Sequence, residues 1–317
     1  MSEEAPLIAA IEAGGTKFVC AVGTGPHDVR DVTRIDTTTP EDTLAGVTRF
    51  LSMAKSKYGS IAAIGIGSFG PIDLDKKSET YGYITTTPKP GWQFTNIVSK
   101  LHDRYHVPIA WDTDVNAAVL GEYLWGAGQD TDPLIYITVG TGVGGGVLIN
   151  GQLLHGALHP EIGHLLVPPP HNSSAIQQAC HCPFHKSCVE GYVSGTALAS
   201  RWGVKADALP PDHPAWEEVA DVMAHALMNL TLSISPKRII LGGGVMSQEH
   251  ILPLIRGQLH RLNNGYLRIP ELGRSIDDFI VSPGLGARSG LLGALALGRY
   301  ELDRHMNGAN SPGFPLI

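Results

Sequence analysis

Apolar residues fall along this chain in two rhythms, and the switches between them mark out the elements. Leu7–Glu12 is a nearly unbroken apolar run, Ala13-Gly14-Gly15 turns it, and Lys17–Gly23 runs apolar again. That reads as a strand, a glycine turn and a returning strand. Thr39-Pro40-Glu41-Asp42 then offers a capping hydroxyl, a proline at the first helical position and acids in the first turn. Leu44, Val47, Phe50, Leu51 and Ala54 come next at helical spacing as the buried stripe. Ile61–Gly67 reads as a buried strand ending in Ser68-Phe69-Gly70-Pro71, a tight loop whose backbone at Gly70 and Pro71 can touch a small ligand. An amphipathic helix is expected near Phe94–Tyr105 and a strand at Val107–Trp111.

That strand delivers Asp112, Thr113, Asp114, Val115 and Asn116 at its carboxyl end, where open α/β sheets place their ligands. Of the two aspartates, Asp114 is the better placed, at the transition into a helix expected over Asn116–Trp125, where it would also serve as an N-cap. The opening pattern then returns. Leu134–Val139 is a strand, Gly140-Thr141-Gly142 and the glycines after it turn the chain, and Val147–Ile149 runs back; later Arg238–Leu241 breaks at Gly242-Gly243-Gly244. Such repetition predicts a duplicated lobe with a phosphate-touching hairpin in each half. Backbone N–H groups of the turns at Gly14, Gly15 and Thr16 and at Gly140, Thr141 and Gly142 would face phosphates, with Lys17 adding a charge. The Gly242–Gly244 surface would suit a flat base or ribose.

Composition narrows the class. At 317 residues with 43% hydrophobic content and 38 glycines, the chain fits two lobes, since domains run to ~100–200 residues. The expected division is 1–113, then 114–287, with a small-residue helix near 288–304 packing back onto the first lobe. The balance of 23 Lys and Arg against 30 Asp and Glu, net −7, argues against a nucleic-acid partner, which needs a dense basic face. No apolar run reaches the ~18 residues of a membrane span, and the acidic start MSEEAPL lacks a signal peptide's features, so a cytoplasmic protein is expected.

Three of the 4 cysteines lie in one loop-rich stretch. Cys182, His185 and Cys188 are each three residues from the next, a spacing that aims two thiolates and an imidazole at one point. His164 is the natural fourth ligand of a tetrahedral zinc; Cys180, His181 and His171 compete for the role. Glu161 and Glu190 frame the cluster. A closed, structural zinc would hold the loop so that these acids and the outer face of His164 present acceptors to a polyhydroxylated ligand.

IEAGGTK, TDVNAAVLGE, ITVGTGVGGG, HPEIGH, CHCPFHKSCVEG and LGGGVM together resemble the motifs of the ROK family of sugar kinases and repressors, over nearly the whole chain. Glu12, where most members carry aspartate, and the histidine of CPFHKSC resemble its bacterial fructokinases; Thr113 departs from the family's NDxN segment. The resemblance implies an α/β, two-lobed, actin-like (hexokinase-like, RNase H-like) ATPase fold with duplicated ββαβα-type lobes and a zinc-stapled loop. It implies an ATP- and Mg2+-dependent hexose kinase in which Asp114 is the general base for the 6-hydroxyl of fructose. Asn116, Glu161, His164 and Glu190, with Gly70 and Pro71, would line the sugar site. Gly14, Gly15, Thr16, Lys17, Gly140, Thr141 and Gly142 would hold ATP phosphates and Gly242, Gly243 and Gly244 the nucleoside. His164, Cys182, His185 and Cys188 would hold Zn2+, in a homodimer. Glucokinase, mannokinase and other hexose kinases of the family, such as an N-acetylhexosamine kinase, are the alternatives among kinases. A sugar-sensing repressor is the alternative outside enzymes; the family's repressors carry a helix-turn-helix ahead of the kinase-like part, and about six residues precede the first strand here, so a kinase is expected.

Overall fold

In the computed structural model, which describes residues 5–170 and 179–307, the first glycine turn joins β1 (Leu7–Ala13) to β2 (Lys17–Gly25), with Ala13 opposite Phe18. β3 (Asp28–Asp36) lies antiparallel on the far side of β2. Its charges at Asp28, Arg30, Asp31 and Arg34 mask it as a strand in the sequence, yet they suit a sheet edge, where charge discourages further pairing. The chain continues through α1 (Pro40–Tyr58), β4 (Ile61–Ser68), a hairpin of β5 (Tyr83–Ile84) and β6 (Thr95–Asn96), α2 (Ile97–Tyr105), β7 (Ile109–Thr113) and α3 (Asp114–Trp125). β4 pairs parallel with β1 and β7 with β4, so the sheet reads β3-β2-β1-β4-β7.

Local chemistry explains the helix ends. Thr39 accepts the Asp42 amide at 3.2 Å ahead of Pro40, and Gly59 closes α1 at φ 98. The buried stripe of α1 is Thr43, Leu44, Val47, Leu51 and Ala54, with Phe50 only partly covered. α2 starts at Ile97 rather than near Phe94, because Phe94 has φ 55 and Asn96 caps the Ser99 amide at 2.8 Å. α3 starts at Asp114, two residues before the expected Asn116, because Thr113 supplies the cap by accepting the Asn116 amide at 3.1 Å. Such a cap stabilises a helix by about 1 kcal/mol.

The later half is built on β8 (Leu134–Val139), β9 (Val143–Ile149), the two-residue β10 (Gln152–Leu153), α4 (Val189–Val193), α5 (Gly195–Trp202), α6 (Ala215–Ile234), β11 (Arg238–Gly242), α7 (Ile251–Asn263), α8 (Ile276–Phe279), β12 (Ile280–Val281) and α9 (Ser289–Asn307). β9 is antiparallel to β8, β11 parallel to β8 and β12 parallel to β11, giving the order β9-β8-β11-β12. This repeats the connectivity of β2-β1-β4-β7.

Two units result. One takes the chain up to Gly126, Gly151–His159 and the segment from Arg288; the other takes Ala127–Asn150 and Pro160–Ala287. The segment from Arg288 joins the first unit, as does α3, which the expected boundary after residue 113 placed with the later half; α3 and α9 pack on each other and on the first sheet through glycines. A Cβ on Gly293 would sit 1.7 Å from the Ala117 carbonyl oxygen, and one on Gly65 would sit 1.8 Å from that of Ala294. The first unit buries Val22, Leu51, Ile66, Trp92 and Leu101. The second buries Ile137, Ile239 and Leu259 with Trp216, Met223 and Leu227 of α6. Each is a core of its own.

Candidate active site

Strand register gathers the first unit's candidate residues at one edge of its sheet. Ala13 of β1 pairs with Ser68 of β4, and Ser68 with Thr113 of β7, so three strands end together at their carboxyl termini. The Gly14–Lys17 turn leaves the first of these ends, the Phe69–Pro71 loop the second and Asp114 the third. The Phe69 amide donates to the Ala13 carbonyl at 2.8 Å, tying the loop to the turn. A Cβ on Gly67 would lie 2.7 Å from that of Ala117, so β4 approaches the start of α3 without a side chain between them. Asp114 occupies the first turn of α3, its Oδ1 accepting the Val115 amide at 2.9 Å.

Behind Asp114 lies a hydrogen-bonded group that the sequence did not announce. Asp112 is 4% exposed and Asn116 fully buried. Asp112 Oδ1 accepts from the Thr113 amide and from Asn116 Nδ2, both at 2.7 Å, while its Oδ2 lies 2.9 Å from His155 Nε2. The hydrogen bond from His155 to Asp112 holds the imidazole above the ordinary histidine range, against the opposing effect of burial. His159 Nε2 accepts the Ile72 amide at 3.2 Å, next to the Gly70-Pro71 loop. His155 and Asp112 are 43 residues apart, so no spacing rule finds them. The only sequence sign is a pair of histidines four apart in a loop just ahead of Glu161.

The glycine turns divide their amides. In the first, the Gly14 N–H donates to the Lys17 carbonyl at 3.0 Å, and in the second the Gly140 N–H donates to Gly142 at 2.9 Å. Gly14 and Gly140 therefore shape their turns, and the expectation that their amides face phosphate is corrected; Gly15, Thr16, Thr141 and Gly142 remain as candidate donors. A Cβ at Gly15 meets nothing within 4 Å, which leaves that backbone open to a ligand. Glu12, one strand position before the turn, is half-buried, and desolvation pushes its carboxyl up to about 7, with Lys17 pulling the other way.

In the second unit Gly242 pairs with Thr138, so the Gly242–Gly244 loop starts beside the end of β8. A Cβ at Gly242 would lie 2.4 Å from Tyr136 Oη, and Gly243, at φ +92, would place one 2.4 Å from the Val139 carbonyl oxygen; only Gly244 looks onto open space. Two of the three glycines thus serve close packing. The Thr141 carbonyl accepts Thr196 Oγ1 at 2.7 Å and the Gly195 amide donates to Gly140 at 2.7 Å, so the start of α5 supports the second turn.

Glu190 accepts the Val143 amide on Oε2 at 2.9 Å and approaches His164 Nε2 with Oε1 at 3.9 Å. Glu161 keeps an exposed side chain, yet its carboxyl is held above the ordinary range, by desolvation first and by Glu190 second. The other face of the His164 ring looks at sulfur. Nδ1 is 3.9 Å from Cys182 Sγ and 3.8 Å from Cys188 Sγ, and Cys182 Sγ is 3.4 Å from His185 Nδ1. Ligand atoms of His164, Cys182, His185 and Cys188 all lie within 4.8 Å of one another. A tetrahedral zinc, with Zn–S of about 2.3 Å and Zn–N of about 2.0–2.1 Å, spaces its ligand atoms about 3.4–3.8 Å apart, so the four residues fit the ion. Burial first, opposed by the Gly191 backbone and reinforced by the Cys180 and Cys182 sulfurs, pushes the Cys188 thiol up to about 12; a cation is what would convert such a thiol to a ligand. Cys180 is not in this set: it packs where a Cβ on Gly191 would be 2.1 Å from its sulfur. His181 is exposed, and His171 lies outside the described residues.

The chain is similar to known proteins over most of its length. The profile of the ROK family matches residues 8–301. The chain is 42% identical over 300 residues to a fructokinase of Zymomonas mobilis, covering 94% of this chain and 98% of that one. It is 41% identical over 296 residues to a fructokinase of Pediococcus pentosaceus, covering 93% and 99%. Among solved structures, a ROK family glucokinase from Streptomyces griseus in complex with glucose and AMPPNP superposes with a TM-score of 0.73 at 28% identity, covering 93% of this chain and 99% of that one. The motifs, the repeated sheet and these matches along nearly the full length establish that the chain belongs to the ROK family.

Proposed function

We propose that the protein is an ATP-dependent fructokinase that transfers the γ-phosphoryl group to the 6-hydroxyl of D-fructose. The observation that carries this is the position of Asp114, in the first turn of α3 and level with the Gly70-Pro71 loop and the Gly14–Lys17 turn at one sheet edge. Higher identity to the two fructokinases than to the glucokinase favours fructose over glucose. The intact glycine turns favour catalysis over sugar sensing alone.

In this reading Asp114 accepts the proton of the 6-hydroxyl as its oxygen bonds to the γ-phosphorus and the bond to the departing ADP oxygen breaks. Phosphoryl transfer asks mainly for alignment and charge stabilisation. ATP enters as its magnesium complex; Gly15, Thr16 and Lys17, with Thr141 and Gly142, hold phosphates, and Gly244, shaped by Gly242 and Gly243, meets the nucleoside. Glu161, His164 and Glu190 take sugar hydroxyls, while Asn116, buried and bonded to Asp112, supports the site from behind. His164, Cys182, His185 and Cys188 would hold a zinc ion, which would supply a structural staple. A homodimer in the cytoplasm completes the proposal; among the described residues no helix is long and apolar enough to cross a membrane.

Replacing Asp114 with Asn tests it. Fructose-dependent ADP release should fall about 10²–10⁴-fold while the melting temperature stays near wild type. Wild-type turnover in Asp114→Asn ends the assignment.

A further inference from the structure

Residues 151–159 pack with the first unit, and two histidines fix them there. His159 is anchored through Ile72 at 3.2 Å. His155 sits with Nε2 2.9 Å from Asp112 Oδ2 and 3.3 Å from Asn116 Nδ2. Ionised Asp112 only accepts hydrogen bonds, so the ring nitrogen beside it carries the hydrogen. The same carboxylate orients the Asn116 amide: its nitrogen, 2.7 Å from Asp112 Oδ1, must donate, since an oxygen there would be repelled. Both neighbours therefore donate to one buried acid, and His155 is locked with Nε2–H turned inward.

Two features of this group are left over. The His155 side chain is 41% exposed against 5% for Asp112, and among the described residues Nδ1 has no hydrogen-bond partner. On the inner side, the Asn116 amide oxygen is buried without a hydrogen-bond partner. Asn116 is in turn two residues from Asp114 on the first turn of α3. A ring held rigid from behind by a buried acid and open to solvent in front is the arrangement of a group that orients a substrate.

We propose that His155, held by Asp112, is a further sugar-positioning residue whose Nδ1 hydrogen-bonds a hexose hydroxyl other than the one that reacts. A hydroxyl both donates and accepts, so it meets the ring whether Nδ1 is bare or protonated. Asp112 acts through His155 and Asn116 and touches no substrate. The inference rests on the hexose kinase reading and adds a residue to that sugar site.

The alternative, that His155 only pins its loop to Asp112, is separated by two isosteric replacements. Gln places its amide nitrogen where Nε2 lies and keeps the bond to Asp112 while losing the group at Nδ1. Asn does the reverse. Steady-state kinetics with wild type, His155→Ala, His155→Gln and His155→Asn, each checked by melting temperature, give the readout. The expected result is a rise of about 10-fold in the fructose KM for Ala and Gln, a KM for ATP unchanged in all, and a fructose KM for Asn within about 3-fold of wild type. An unchanged fructose KM in Ala, or rescue by Gln and not by Asn, overturns the inference; if Ala fails to fold, the Gln and Asn pair decides alone. The wild type is first run against a hexose panel. Turnover of another hexose removes the fructose assignment, and the variants are then read with that sugar. A wild type with no hexose-dependent ATP consumption overturns the kinase reading and this inference together, whereas an active wild type with unaffected variants overturns this inference alone.

Discussion

His164 presents Nε2 to the Glu190 carboxylate at 3.9 Å while its Nδ1 faces the sulfurs of Cys182 and Cys188. One imidazole therefore joins the candidate metal cluster to a candidate sugar-binding acid. Because a metal on Nδ1 fixes the ring plane, it also fixes where Nε2 can meet Glu190 or a hydroxyl.

Metal analysis is accordingly expected to find about one zinc per chain, the stoichiometry of a single four-ligand site. Chelation, or Cys182→Ser, should raise the fructose KM before far-ultraviolet circular dichroism shows any loss of helix. Metal-free protein with wild-type sugar affinity would contradict the staple.

Glu12 predicts a pH dependence of stability. Its carboxyl ionises near an ordinary 4.5 in the unfolded chain and at about 7 when folded. Below pH 4.5 it is neutral in both states and costs nothing. As pH rises from 4.5 to 7 the unfolded chain ionises first, so folded stability falls, by about 3 kcal/mol in all, and then levels off. Without nucleotide, Glu12→Gln should melt higher than wild type at pH 8, and the gap should close toward pH 4.5. A gap that widens on acidification would reverse the sign.

Two helical glycines should respond oppositely to alanine. In α7, a Cβ at Gly257 meets nothing within 4 Å, so Gly257→Ala should stabilise by up to about 1 kcal/mol through helix propensity. In α9, a Cβ at Gly293 would lie 1.7 Å from the Ala117 carbonyl oxygen, and Gly293→Ala should destabilise by about 3 kcal/mol as α3 and α9 are forced apart. Equal effects in urea melts would mean that these helices are not in such close packing.

Much of the site could be read before any coordinates, and the reason is locality. Glycine turns, the Thr39 cap and the Cys182, His185, Cys188 spacing each act within a few residues, where sequence order is spatial order. Thr113 was legible as a departure from the family pattern; its role as the cap that moves the helix start to Asp114 was not, because a capping bond depends on backbone angles. The charges of β3 hid a strand whose pairing is decided by β2.

Taken alone, the order of residues determined the kinds of element, their approximate ends and the chemical character of the candidate metal cluster, since propensity, capping and ligand spacing are short-range. Tertiary structure alone decided which carboxyl edges align, that α3 and α9 share one unit, that the Gly14 and Gly140 amides close their own turns, and that His155 meets Asp112 from 43 residues away. Those outcomes come from strand register and from backbone contacts between distant segments, which are set when the sheets assemble and leave no periodic trace along the chain.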